Sequence, residues 1–266
     1  MSGTFRIAVA CGSLLAETKD KILPGLCFGL LKQIYAWGLE HAAAIEIAVV
    51  SHRSPETGGR MMGILSDHGL DGTSGFFSNG DDVLPYVIGM DCDLFMSDKM
   101  DDVQRAIDAG VPAAMMHGVD VVDSSELRIA FDGDAVLLSH KTEKLFQENG
   151  IKAFLKHERD NVDLPIAPGP LLPFLRSLNR LEDTMGAKLF KTALVTARSG
   201  GACERAMRTL TAHGVRIDQA LFCGNIPKLE ILRAFGAHVF FDDSDRHLKP
   251  ASLYLTTGKV PWRTSA

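Results

Sequence analysis

Short apolar runs alternate with helix-length amphipathic segments along nearly the whole chain, and this rhythm restricts the fold more than any other feature. Runs at 7–10, 45–50, 76–78, 94–96 and 111–116 read as strands, with helical patterns at 22–41, 59–68, 84–89 and 103–109 between them. Strands this apolar are buried on both faces, and strands joined through helices run parallel. A doubly wound α/β fold is therefore expected. After Gly118 the cycle restarts, with strands at 127–131, 192–195, 220–223 and 239–241 and helices at 172–185, 203–213 and 229–235. Gly186 ends the helix at 172–185, and Gly214 stands where a left-handed C-cap is expected.

The restart carries sequence as well as rhythm. Residues 51–99 lie on residues 196–244 without a gap at an offset of 145, and eleven of the 49 pairs are identical. The identities include Arg53/Arg198, Arg60/Arg205, His68/His213, Phe95/Phe240 and Asp98/Asp243. Arg6-Ile7-Ala8 matches Arg128-Ile129-Ala130 at an offset of 122, so the second half carries about 23 more residues between its first two aligned segments. Unrelated βα units share helix-end glycines and core phenylalanines, but a gapless register with shared polar positions favours an internal duplication. The expected division is an N-terminal lobe over 1–120 and a second over 121–266, with an insertion at about 139–170. Asp132, Asp134, Lys228 and Asp242 align with Ala10, Gly12, Val83 and Ser97, so the first lobe reads as a degenerate copy without metal chemistry. A packing or oligomer surface is the role expected of it.

The totals exclude several classes of partner. A net charge of −5 with no dense Lys/Arg run gives no nucleic-acid groove. Five cysteines without a CxxC pair read as reduced thiols. The apolar stretch at 22–37 is interrupted by Pro24, Gly25, Gly29, Lys32 and Gln33, which makes it a core helix rather than a membrane span. The amino-terminal residues lead straight into a strand rather than a signal segment, so a cytoplasmic protein is expected.

Chemistry concentrates in the second half. Asp132-Gly133-Asp134 follows the strand at 127–131, Thr196 follows the next, and Asp242-Asp243 follow the strand at 239–241. Lys228 begins the helix after the strand at 220–223. Ligands of such sheets bind outside the carboxyl ends of the strands, so these groups converge on one edge. Each has a plainer reading: an Asp-Gly turn, a helix cap at Thr196, a solvated lysine. Their joint order favours phosphoryl chemistry around a divalent cation.

The constellation resembles haloacid dehalogenase-like phosphotransferases. Phe131-Asp132-Gly133-Asp134-Ala135-Val136, Leu194-Val195-Thr196-Ala197-Arg198-Ser199 and Phe240-Phe241-Asp242-Asp243 are similar to the cytosolic 5′-nucleotidase type I family. The resemblance implies a Mg²⁺-dependent phosphohydrolase acting on nucleoside 5′-monophosphates. It implies Asp132 as nucleophile, Asp134 as general acid/base, Thr196 and Lys228 on the phosphoryl group, and a metal site of Asp132, Asp134, Asp242 and Asp243. The insertion would be a small cap in which Phe146, Phe154, Lys156, His157 or Glu158 meets substrate, joined by Ala197, Arg198 and Ser199. The plainer alternative has Phe146 and Phe154 packing the cap's own helices. Two positions depart from the family pattern: Ala10-Cys11-Gly12-Ser13 lacks the expected arginine, and His140 replaces an acid. A sugar phosphatase, or a nucleotide-binding protein with vestigial catalysis, would carry the same motifs. The remaining histidines, His247 among them, show no metal-binding spacing and read as surface or core residues.

Overall fold

The computed structural model describes residues 4–17, 22–41, 44–120, 124 and 126–263, without the side chains of 16, 17, 22, 23, 141–149 and 151. The first half runs β1 (Phe5–Ala10), α1 (Cys11–Leu14), β2 (Leu15–Glu17), β3 (Ile22–Pro24), α2 (Phe28–Glu40), β4 (Ile45–Ser51), α3 (Pro55–Asp67), β5 (Ser74–Phe77), α4 (Leu84–Gly89), β6 (Leu94–Ser97), α5 (Met100–Asp108) and β7 (Ala113–Gly118). The second runs β8 (Leu127–Phe131), α6 (Lys141–Asp160), α7 (Leu172–Met185), β9 (Phe190–Thr196), α8 (Ala202–Ala212), β10 (Gln219–Phe222), α9 (Lys228–Phe235), β11 (Val239–Asp242), α10 (Asp245–Ala251) and β12 (Thr256–Lys259).

Ten strands form one sheet in the order β10-β9-β8-β11-β12-β7-β6-β1-β4-β5. Neighbours are parallel throughout each half, as the apolar strands require, and antiparallel only where β12 meets β7. That joint reverses the two halves. The carboxyl ends of β8, β9 and β11 lie at one edge of the sheet, and those of β1, β4 and β6 at the opposite edge. At the offset of 145, β4, β5 and β6 coincide residue for residue with β9, β10 and β11.

The sequence expectation lacks α1, β2, α6 and α10, and two further departures bear on the architecture. Residues 22–24 are a strand paired with β2, not the start of a helix. Ile22 is β-branched, Pro24 lacks an N–H, and Gly25 packs where a Cβ would come 2.9 Å from the Leu14 backbone, so the helix begins only at Phe28. β12 is unexpected because Thr-Thr-Gly-Lys has no apolar run. Its Gly258 permits the close approach of β11 and β7, since a Cβ there would lie 2.5 Å from Phe241 and 3.0 Å from Ala114.

The halves share a core. Phe174 of α7 has its ring 6.3 Å from Phe5 of the first half and 6.1 and 6.0 Å from Phe131 and Phe241 of the second. Trp37 of α2 reciprocates, lying edge-on to Phe190 at 5.7 Å. Burial of such rings contributes roughly 2–3 kcal/mol each. No helix among the described residues is long and apolar enough to cross a membrane.

At the outer edge, Asp218 accepts hydrogen bonds from the Thr192 N–H (2.7 Å), the Thr192 hydroxyl (2.9 Å) and the Lys188 ammonium (3.0 Å). Burial alone would raise this carboxyl's pKa, but these donors outweigh it and hold it below the usual range. Its stabilisation is therefore present above the unfolded value of about 3.9 and is lost as pH falls through the lower folded value. Asp218→Asn is expected to flatten the loss of Tm on acidification below about pH 4, measured by thermal unfolding across that range.

Candidate active site

Asp132 is delivered by β8, and its backbone N–H is fixed by the Phe241 carbonyl at 2.8 Å. The side chain turns back so that Oδ1 accepts the Gly133 N–H at 2.7 Å. The Gly133 carbonyl then accepts the N–H groups of Leu137 and Leu138, closing a tight loop. Within it Ala135 holds φ at +66°, a left-handed geometry that costs a residue with a Cβ roughly 1 kcal/mol. Thr196, at the end of β9, is 2% exposed. A Cβ on Gly133 would lie 3.1 Å from its Oγ1, so the hydroxyl sits against the acidic turn.

Lys228 joins the site from the first turn of α9. Its Nζ lies 2.8 Å from Asp132 Oδ1 and 2.8 Å from Asp242 Oδ2, bridging two carboxylates on different strands. Asp242 is fully buried and also accepts the Ser244 N–H at 2.8 Å and a contact from His247 Nδ1 at 3.0 Å. Burial opposes charge on all three groups. It pushes the Asp132 carboxyl well above the usual carboxylate range despite the ammonium of Lys228, with Asp242 adding to the rise. At Asp242 the hydrogen bond from His247 and the charge of Lys228 outweigh burial, and the carboxyl is held low. The two acids likewise outweigh burial at Lys228 and keep it protonated.

Asp134 is paired outside this cluster. Its two oxygens accept Arg198 Nε (2.8 Å) and Nη2 (2.7 Å), a forked pair. Arg198 Nη1 also reaches Glu158 of α6, whose second oxygen takes Arg205 of α8 at 2.7 Å. Glu158 is completely buried, and Arg198 lies over the Phe154 ring at 5.5 Å. The expected substrate contacts thus divide by position. Ala197 and Ser199 are exposed in the loop after β9, whereas the Arg198 guanidinium is turned inward onto carboxylates. Phe154 is buried, and His157 is half-buried with Asn161 Nδ2 3.3 Å from its Nδ1. The Phe146 side chain lies outside the described residues.

Asp243 stands apart from the Asp132–Asp242 pair. Its Oδ2 accepts the indole N–H of Trp262 at 2.8 Å. Trp262 stacks on His140 at 4.7 Å, and its carbonyl accepts Gln104 Nε2 of α5 at 2.8 Å. The C-terminal segment therefore ties a first-half helix to the acidic edge. Burial raises the Asp243 carboxyl's pKa and the indole N–H offsets part of that rise. Trp262→Phe keeps the ring and removes the donor. It is expected to cost about 1–2 kcal/mol by urea unfolding, the penalty for an acceptor left half-buried without its partner.

His247, Trp262 and Arg205 are not legible as site residues in the sequence. His247 lies five residues beyond Asp242, and only the turn between β11 and α10 brings the imidazole back. Arg205 carries one signal, its identity with Arg60 in the offset comparison.

The chain matches the 5′-nucleotidase family over residues 13–266. The chain belongs to that family. A curated relative, cytosolic 5′-nucleotidase 1B of Homo sapiens, is 33% identical over 216 residues, covering 77% of this chain. The aligned part spans about a third (35%) of that relative's length. No solved structure matches the chain. The motif resemblance and the family match thus agree.

Proposed function

We propose that the chain is a Mg²⁺-dependent phosphohydrolase that removes phosphate from nucleoside 5′-monophosphates. The observation that carries the reading is the Asp132–Lys228–Asp242 cluster at the carboxyl edge of the second half, in a chain of the 5′-nucleotidase family. Oxygens of Asp132 and Asp242 and a ring nitrogen of His247 lie within 4.8 Å of one another, a carboxylate-rich set that suits a hard cation. Asp132, the Asp134 carbonyl and Asp242 would hold Mg²⁺, with His247 orienting Asp242 and Asp243 kept in place by Trp262. The cation, when bound, supplies charge that screens a phosphate dianion from the acids.

The residues then divide the reaction. An Asp132 oxygen attacks phosphorus as the bond from phosphorus to the ribose oxygen breaks, leaving an aspartyl-phosphate. Asp134 gives its proton to the departing oxygen and takes one from the water that next attacks phosphorus, releasing inorganic phosphate and regenerating Asp132. For this Asp134 must turn from Arg198 toward the substrate, and Arg198 retains Glu158 when it does. Thr196 and Lys228 hold the phosphoryl oxygens. Residues 139–170 serve as the cap, with Phe154 and His157 on its inner side and Ala197 and Ser199 at the entrance.

We read the two halves as copies of one haloacid dehalogenase-like unit, 1–120 and 121–266. Matching element bounds and the mirrored strand orders β5-β4-β1-β6-β7 and β10-β9-β8-β11-β12 support that reading. The absence of any CxxC pair from the sequence and the similarity to a protein named cytosolic support a cytoplasmic location.

The deciding experiment assays purified protein against AMP, IMP, GMP, CMP and several sugar phosphates, with Mg²⁺ and with EDTA. Phosphate release from the nucleotides, dependent on Mg²⁺, is expected. Faster release from sugar phosphates would replace the substrate class. Nucleotide binding without turnover would make the chain a binding protein.

A further inference from the structure

A cavity of about 230 Å³ opens at the opposite edge of the sheet, lined by Gly12, Ser51, His52, Arg53, Asp98 and Lys99 among others. It lies over the carboxyl ends of β1, β4 and β6. The chain leaves β1 toward β4 and β5 on one side and returns to β6 and β7 on the other, so this is the sheet's switch point in the first half. Crevices at such points are where α/β sheets take ligands.

The cavity repeats two side-chain-to-backbone contacts of the other carboxyl edge, with fewer acids around them. Ser51 Oγ accepts the Arg53 N–H at 3.2 Å, as Thr196 Oγ1 accepts the Arg198 N–H at 3.3 Å. Ser97 Oγ accepts the Lys99 N–H at 3.1 Å, as Asp242 Oδ1 accepts the Ser244 N–H at 2.8 Å. Both pairs stand at the offset of 145. Where the second half has Asp132, Asp134 and Asp242, the first has Ala10, Gly12 and Ser97. The cations differ as well: Val83 stands at the position of buried Lys228, while an exposed Lys99 stands where the second half has Ser244.

Charge decides what such a cavity can hold. At the catalytic edge five carboxylates, those of Asp132, Asp134, Asp242, Asp243 and Glu158, face Lys228, Arg198 and Arg205, and a phosphate dianion needs an added cation. In the first half two lining carboxylates, Asp98 and Asp102, stand against Arg53 and Lys99, with His52 beside them. His52 Nδ1 lies 2.8 Å from the Asp81 carbonyl, and its Nε2 lies 3.9 Å from Asp102. With three fewer acids among the described residues an anion is less opposed, and Ala10 stands at the position of Asp132. The volume falls below that of pockets that enclose drug-sized ligands, about 300 Å³ upward, and suits a phosphoryl group rather than a whole nucleotide.

We propose that this cavity is a metal-independent binding site for a phosphate dianion, free or as the phosphoryl end of a monoester, which it holds without cleaving. The inference rests on the duplication read above and not on turnover at Asp132, so the two fail separately. Its test is calorimetric titration of the full chain with inorganic phosphate in EDTA, repeated with AMP. Saturable binding of phosphate in EDTA is expected, weakened about tenfold or more by Arg53→Ala combined with Lys99→Ala. Equal affinities for phosphate and AMP would assign recognition to the phosphoryl group alone, and tighter AMP binding would extend it to the nucleoside. Arg53 and Lys99 are exposed, so the double variant is expected to keep its circular dichroism and Tm; Lys99→Ala alone serves if it does not. No binding in EDTA, or binding unchanged in the variants, overturns the proposal. Loss of Mg²⁺-dependent turnover in the wild type would instead overturn the catalytic reading and leave this one standing.

Discussion

Asp132→Asn is expected to abolish nucleotide hydrolysis, lowering kcat by on the order of 10⁴-fold or more, while the protein stays folded. The amide keeps the shape and the contact from Gly133 but cannot attack phosphorus or carry charge to a cation. Metal-free stability is expected to move the other way. The folded carboxyl of Asp132 has its pKa raised, chiefly by burial, with Asp242 adding to the rise and Lys228 opposing it. A carboxyl whose folded pKa exceeds the unfolded value of about 3.9 costs stability as pH rises above that value, and an amide does not. Lys228 keeps Asp242 as its partner in the variant. The Tm of Asp132→Asn in EDTA at neutral pH should therefore exceed that of the wild type, the usual sign of a group retained for chemistry. Wild-type turnover by this variant would remove Asp132 as the nucleophile.

Glu158→Ala should destabilise the chain by roughly 3–5 kcal/mol, because it leaves buried guanidiniums without their shared acid. Glu158 is completely buried between Arg198 and Arg205, whose side chains are 2% and 8% exposed. Arg198 retains Asp134, so the larger part of the loss falls on Arg205 and on the docking of α6 against α8. Asp160→Ala on the same helix is the control. Its pair with Lys156 is solvated, and such pairs add little to stability. Urea unfolding of both variants measures the difference. A Glu158→Ala loss no larger than the control's would show that the buried chain of charges does not hold the cap helix.

Local pattern carried much of this molecule. The helices at Leu84–Gly89 and Leu172–Met185 and the strand at Leu127–Phe131 begin and end where apolar period, proline and glycine place them. Gly186 and Gly214 take the positive φ expected after helices, at +62° and +67°. Asp132, Thr196, Lys228 and Asp242 were legible because strand ends in a parallel sheet share an edge, a consequence of chain direction alone. Residues 22–24 pair as a strand although their apolar run continues the helical pattern, because Pro24 and Gly25 interrupt it.

What a single chain segment does not contain is which other segment it meets. The joint between β12 and β7 is made by a polar tetrapeptide with no strand pattern of its own, and its antiparallel pairing sends the two carboxyl edges to opposite ends of the sheet. Glu158 became the hub of two arginines, His247 the support of Asp242 and Trp262 the donor to Asp243 only when distant segments packed together. Sequence alone determined the apolar strands, the acids and their common edge, since those follow from burial and direction along the chain. Only the tertiary structure decided how the acids are paired, because burial makes each charge seek whichever partner the fold brings within hydrogen-bonding reach.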